Sequence, residues 1–125
     1  MSDKELLTLA AKAYWGDEIN DVCSIRWLDK DECIGYTHGD NQDYNGRDVE
    51  WCWDPLSDDG DCARMETKLF FTLRWHENCV AVEHYKQRDD DPFIYESFAD
   101  HNNDRNAARR KASTRCAAEI GKGMV

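Results

Sequence analysis

Ala108, Ala112, Cys116 and Ile120 fall one helical turn apart near the end of the chain. A stripe so narrow, built mostly of small side chains, lets its helix approach a sheet closely and restricts what else can pack there. The pattern predicts a helix from Asn103 to about Gly121. Arg105, Arg109, Arg110, Lys111 and Arg115 line its flanks. Gly121 is expected to terminate it, with Lys122 near the negative end of the helix dipole. At the other end of the chain, Ser2-Asp3-Lys4-Glu5 has the form of a capping box, in which Ser2 accepts a backbone hydrogen bond and Glu5 returns one. Leu6, Leu9, Ala10 and Ala13 follow at helical spacing, so Ser2 to Trp15 reads as an amphipathic helix stopped near Gly16.

Between these helices the period changes toward two. Phe71, Leu73 and Trp75 alternate, as do Val80 and Val82. They give paired strands, Phe70 to Trp75 and Cys79 to Tyr85, joined by a His76-Glu77-Asn78 turn and presenting one apolar face to a helix layer. Val49, Trp51 and Trp53 form a shorter extended piece that ends at Asp54-Pro55, because a residue before proline leaves helical geometry. Ser57-Asp58-Asp59-Gly60-Asp61 then places carboxylates where helix-start amides lack partners, which opens a helix to about Leu69 with Cys62, Met65 and Leu69 on one face. Cys33 to Tyr36 reads as a short strand, and His38 to Gly46, rich in turn formers, as a surface loop. Ile25, Trp27 and Leu28 make a small apolar patch, Asp89-Asp90-Asp91-Pro92 a charged loop, and Phe93 to Tyr95 a brief extended piece. No repeat and no Ser- or Gly-rich linker divides the chain. The residues therefore describe one α+β domain over 1–125.

Charge narrows the functional classes. Through Asp100 acidic residues outnumber basic ones by 24 to 10, and from His101 onward basic outnumber acidic by 6 to 2, for a net −10. Such a surface repels nucleic-acid phosphates and attracts cationic partners. The basic last helix is expected to neutralise the acidic body by pairing with it. No apolar run approaches the roughly 18 residues of a membrane span, and the N-terminus lacks a signal-peptide pattern. Six cysteines, at positions 23, 33, 52, 62, 79 and 116, are accordingly expected to be reduced thiols in a cytosolic protein.

The candidate chemical motifs are each incomplete. Asn41, Asp43, Asn45 and Gly46 match the start of a calcium-binding EF-hand loop, but its twelfth position is Cys52 where a bidentate Glu belongs. Asp58, Asp59 and Asp61 resemble a cation cluster, and helix capping explains them without an ion. His76 and Cys79 stand three apart, yet no CxxC pair completes a zinc signature. Neither a nucleophile elbow nor a glycine-rich phosphate loop is present. The expectation is a non-enzyme with no cofactor and no metal. Trp51, Trp53 and Trp75 read as core, whereas Trp15 and Trp27 flank loops and are candidate anchors for a partner. The exposed triple Asp89, Asp90 and Asp91 is the leading candidate for a partner-binding site, because a cationic partner relieves its self-repulsion.

Two segments, Trp53-Asp54-Pro55-Leu56-Ser57-Asp58-Asp59-Gly60-Asp61-Cys62-Ala63-Arg64 and Arg109-Arg110-Lys111-Ala112 through Arg115-Cys116-Ala117-Ala118-Glu119-Ile120-Gly121-Lys122, together resemble the phage ABA-sandwich domain family of small tailed-phage proteins. Glu5-Leu6-Leu7 with Ala10-Ala11-Lys12-Ala13 is similar too. The resemblance implies a small antiparallel sheet packed between helices, an α-β-α sandwich, in a viral accessory protein working in the cytoplasm of an infected bacterium. It supplies no catalytic residues. By analogy at the level of class, such acidic phage proteins bind and inhibit host defence complexes, CRISPR systems included, through an acidic surface. The expected partner is a host protein with a basic surface, not nucleic acid or membrane. The alternative is a virion or assembly component that forms homo-oligomers through apolar contacts, and less so a metal- or cysteine-dependent enzyme.

Overall fold

The computed structural model describes residues 1–16, 23–42, 44–46, 48–87 and 93–124. The elements run α1 (Asp3–Trp15), β1 (Cys23–Leu28), β2 (Cys33–Gln42), β3 (Asp48–Trp53), α2 (Asp59–Lys68), β4 (Phe71–Trp75), β5 (Cys79–His84), β6 (Ile94–Ser97), a 3-10 turn (Phe98–His101) and α3 (Arg105–Gly123). They form two antiparallel three-stranded sheets, β1-β2-β3 and β4-β5-β6. The α+β class and the packing of helices on a small antiparallel sheet are as expected, with two sheets where one was anticipated. Helices α1 and α3 pack along each other between them, α1 against β1 and β2, α3 against β5 and β6.

Each helix begins where its cap dictates. Ser2 Oγ accepts from Glu5 N at 3.2 Å, Asp58 accepts from Asp61 N at 3.0 Å, and Asp104 accepts from Asn106 N and Ala107 N. Asp58→Ala is expected to lower the unfolding free energy by about 0.5–2 kcal/mol, read as a lower urea midpoint. An unchanged midpoint would contradict the capping role. Gly16 closes α1 with φ +53°, a conformation that suits glycine, and its N–H donates to Lys12 O.

Gly121 does not terminate α3, which continues to Gly123. Its role is close approach: a Cβ there would lie 1.9 Å from the Leu9 carbonyl oxygen. Ala10, Ala11, Ala117 and Ala118 are also buried, so the two helices meet almost backbone to backbone here. The first core gathers Leu7, Ala10, Ala11, Ala13, Trp15, Ile34, Trp53, Met65 and Ala117; the second gathers Val80, Val82, Ile94, Phe98, Ala108, Ala112 and Cys116. Phe71 touches both and joins them.

Several expectations are corrected. The segment from His38 to Gln42 belongs to strand β2, whose pairing with β3 shifts register between Thr37 and Gln42, so backbone ladder bonds prevail over turn-forming composition. Trp51 and Trp75, expected in the core, are each 50% exposed. Alternation assigns them a face, but they stand beyond the area the helices cover. Trp15, expected as an exposed anchor, is buried in the first core, its ring 5.0 Å from Trp53 and 5.1 Å from Tyr36. Cys33 and Cys52, expected as free thiols, form a disulfide across neighbouring strands with Cα atoms 6.1 Å apart, while Cys62, Cys79 and Cys116 are free.

Candidate acidic binding cleft

The basic last helix spends most of its charge internally, as its sequence suggested. Arg109 pairs with Glu66, Arg110 with Asp59 at 2.7 Å, Lys111 with Asp3 at 3.6 Å and Arg115 with Glu96. Elsewhere Arg26 pairs with Glu50, Arg64 with Asp61 and Arg74 with Glu83. What matters for binding is which carboxylates are left over.

The connection from β3 to α2 is a self-bonded cassette. Asp54 accepts from Leu56 N at 3.1 Å through its side chain, and its carbonyl receives Ser57 N and Asp58 N. Asp61 reaches back to Asp54 N at 3.0 Å, and Arg110 Nε donates to Leu56 O at 2.9 Å. Asp58 and Asp61 are thereby occupied with helix and loop geometry, and Asp59 with Arg110. Among the described residues no group of three or more His, Cys, Asp or Glu side chains is arranged to hold a metal ion. The calcium-like positions include Asp43, which lies outside the described residues.

Asp54 is the exception among the cassette's carboxylates, because with Leu56 and Ser57 it also lines a cleft of about 370 Å³. One wall is the start of α1, with Asp3, Lys4 and Leu7; another is Trp27 on β1; the rim is Asp31 and Glu32 at the tip of the β1–β2 hairpin. Leu28 pairs with Cys33, so Asp29-Lys30-Asp31-Glu32 forms a four-residue turn, and Glu32 takes φ +51° to close it. Asp31 and Glu32 are exposed, and neither they nor Asp54 forms an ion pair among the described residues. Burial pushes the Asp54 carboxyl above its ordinary range, its hydrogen bonds to Ser57 and Leu56 pull the other way, and the charge of Asp61 pushes it further up. Lys4 Nζ lies 6.0 Å from the Trp27 ring centroid, so a cation of the chain itself already stands over the indole. With Asp3 paired to Lys111, three carboxylates without ion pairs among the described residues, Asp31, Glu32 and Asp54, face one ammonium, Lys4, beside an aromatic wall.

A second cleft, of about 260 Å³, is lined by His84, Cys116, Glu119 and apolar residues including Ile94 and Ile120. Histidine beside a thiol suggests nucleophilic chemistry. Burial, with Glu119 and Glu83 adding to it, pushes the Cys116 thiol up to about 12, which keeps it protonated. Burial likewise pushes Cys62 up to about 12. Neither is an activated nucleophile.

Of the residues singled out from the sequence, Trp27 lines the acidic cleft, whereas Trp15 lies in the first core and does not line it. Asp89, Asp90 and Asp91 lie outside the described residues. Sequence reasoning missed Asp31 and Glu32. The available signal was the Asp29–Glu32 run between an apolar patch and Cys33-Ile34-Gly35-Tyr36, the form of a hairpin with an acidic tip.

Fold and cleft together define a small α+β domain with an acidic, aromatic-walled recess and no helix, among the described residues, long and apolar enough to cross a membrane. No family model, curated protein or solved structure was found to match this chain.

Proposed function

We propose that this protein is a binding module that occupies a cationic surface on a protein partner, and that it acts by blocking that surface. The observation that carries the reading is the convergence of Asp31, Glu32 and Asp54, without ion pairs, beside the face of Trp27. A lysine or arginine entering the cleft gains attraction from the carboxylates, reaches the Trp27 face only by displacing Lys4, and by its charge favours the ionised form of Asp54. The likeness of residues 53–64 and 109–122 to phage ABA-sandwich proteins supports a more particular form: a phage accessory protein that inhibits a host defence complex, CRISPR or other, in the cytoplasm of the infected bacterium. In that compartment the Cys33–Cys52 bond would face reducing conditions. Asp89, Asp90 and Asp91, which lie outside the described residues, enter this proposal by their charge in the sequence alone.

Capture from a bacterial host lysate tests this, using wild type and the Asp31→Asn/Glu32→Gln variant. Wild type is expected to retain a basic protein at low salt and release it as salt rises. The variant should bind about tenfold more weakly, the loss of roughly 1.4 kcal/mol from two partly exposed charges. Because a bound cation favours ionised Asp54, binding should also strengthen as pH rises through the carboxylate range. Equal retention of the same protein by both forms would overturn the assignment of the cleft.

A further inference from the structure

The outer face of the β4-β5-β6 sheet carries aromatic side chains that no helix among the described residues covers. Val80, Val82 and Ile94 point into the core against α3, so the alternating positions Cys79, Ala81, Glu83 and Tyr95 face away from it. On that side Phe93 and Tyr95 are 65% and 51% exposed with ring centroids 5.5 Å apart; at the sheet's other end Phe70 and Tyr85 are 67% and 68% exposed and 5.4 Å apart. Phe70 is held at φ +57°, where glycine is the low-energy choice. A bulky residue kept exposed in that conformation marks a position whose side chain matters more than its backbone comfort.

We propose that this face docks a second copy of the chain, sheet against sheet, as an isologous pair. Two arguments select that occupant. The first is charge. A net −10 makes copies repel across most of their surface, but around this face the described charges balance, Arg74 and Lys86 against Glu77 and Glu83. Arg74 and Glu83 already pair within each copy, so a two-fold contact would bring two neutralised patches together without net repulsion. A strongly cationic partner finds no such preference here.

The second argument is area. Full burial of an aromatic residue removes about 150–250 Å², so side chains this exposed still present on the order of 100–150 Å² each. Four give about 500 Å² per copy and about 1,000 Å² per pair, the lower limit for a specific interface. The association is therefore reversible and concentration-dependent.

Sedimentation equilibrium of the full chain tests it, with wild type, Phe93→Ser/Tyr95→Ser and Phe70→Gly compared at low and high salt. Wild type is expected to dimerise with a dissociation constant of roughly micromolar order. The dimer should hold or tighten as salt rises, because salt screens only the repulsion between copies. Phe93→Ser/Tyr95→Ser should weaken it at least tenfold, and Phe70→Gly severalfold without lowering the unfolding midpoint, since glycine suits that φ. A wild type that stays monomeric, or a dimer indifferent to these substitutions, overturns the proposal. So does a dimer that dissociates in salt, which would place carboxylates at the contact. The test is separable from the cleft assignment, because Asp31→Asn/Glu32→Gln leaves this face intact and Phe93→Ser/Tyr95→Ser leaves the cleft intact.

Discussion

Gly121→Ala is expected to lower the unfolding free energy by about 4 kcal/mol, beyond the ~1–3 kcal/mol usual for overpacking. The added methyl group would meet the Leu9 carbonyl oxygen at 1.9 Å and its carbonyl carbon at 2.8 Å. Both are backbone atoms inside α1, so no side chain can swing away. Relief requires α1 and α3 to separate, and separation opens voids around Ala10, Ala11, Ala117 and Ala118, which are buried because the helices are so close. For a domain whose total stability is about 5–15 kcal/mol, this approaches loss of the fold. Urea unfolding of the two proteins checks it, and an alanine variant within about 1 kcal/mol of wild type would contradict the close approach. Gly123→Ala is the control: a Cβ there meets nothing within 4 Å.

Glu66→Ala is expected to cost about 3 kcal/mol, because it removes one partner of a nearly buried ion pair and leaves the other behind. Glu66 has 7% of its side chain exposed and Arg109 has 23%. Arg109 Nε donates to both carboxylate oxygens, at 3.1 and 3.0 Å, its Nη2 donates to Oε1, and Ser113 Oγ donates to Oε2. The ordinary pKa of a guanidinium is so high that Arg109 keeps its charge when the carboxylate is gone, even without the upward push that Glu66 gives it. The residual exposure of Arg109 places the effect at the lower end of the ~3–5 kcal/mol range. Arg109→Ala should be similarly damaging, and the double variant should cost clearly less than the sum of the two single ones. Additive losses would mean that the pair contributes no specific coupling between α2 and α3.

These two predictions explain which parts of the fold were legible in the sequence. The helices were readable because Leu6, Ala10, Ala108, Ala112 and Cys116 repeat at helical spacing and Ser2 and Asp58 are local caps. The β4–β5 hairpin was readable from its alternation. What alternation lacks is depth: it puts Trp75 and Trp53 on apolar faces without revealing that only Trp53 lies beneath a helix. Gly121 was misread for a related reason. A glycine near a helix end has the same local appearance whether it stops the helix or admits a neighbour, and the distinction resides in Leu9, 112 positions away along the chain. Strand β1 went unassigned and the end of β2 was taken for a loop because their pairing partners, not their composition, make them strands. The Cys33–Cys52 pairing was likewise hidden, since it follows from strand register.

The candidate site was only partly legible. Trp27 was singled out, and the excess of negative charge was evident. The sequence could not show which carboxylates the basic residues would neutralise. Arg109, Arg110, Arg115 and Arg64 take Glu66, Asp59, Glu96 and Asp61 into the framework, and what remains at the cleft is Asp31, Glu32 and Asp54. The two segments on which a phage ABA-sandwich family was expected, 53–64 and 109–122, contain Asp59 and Arg110, which pair between α2 and α3. They bear on the fold more than on the partner.

The most direct test of the binding account is the ionic-strength dependence of affinity for the purified captured partner, measured by calorimetric titration with wild type and Asp31→Asn/Glu32→Gln. The account predicts tight wild-type binding at low salt that weakens steeply as salt is added, and a shallower dependence in the variant. Parallel slopes for the two proteins, or wild-type affinity that ignores salt, would contradict it.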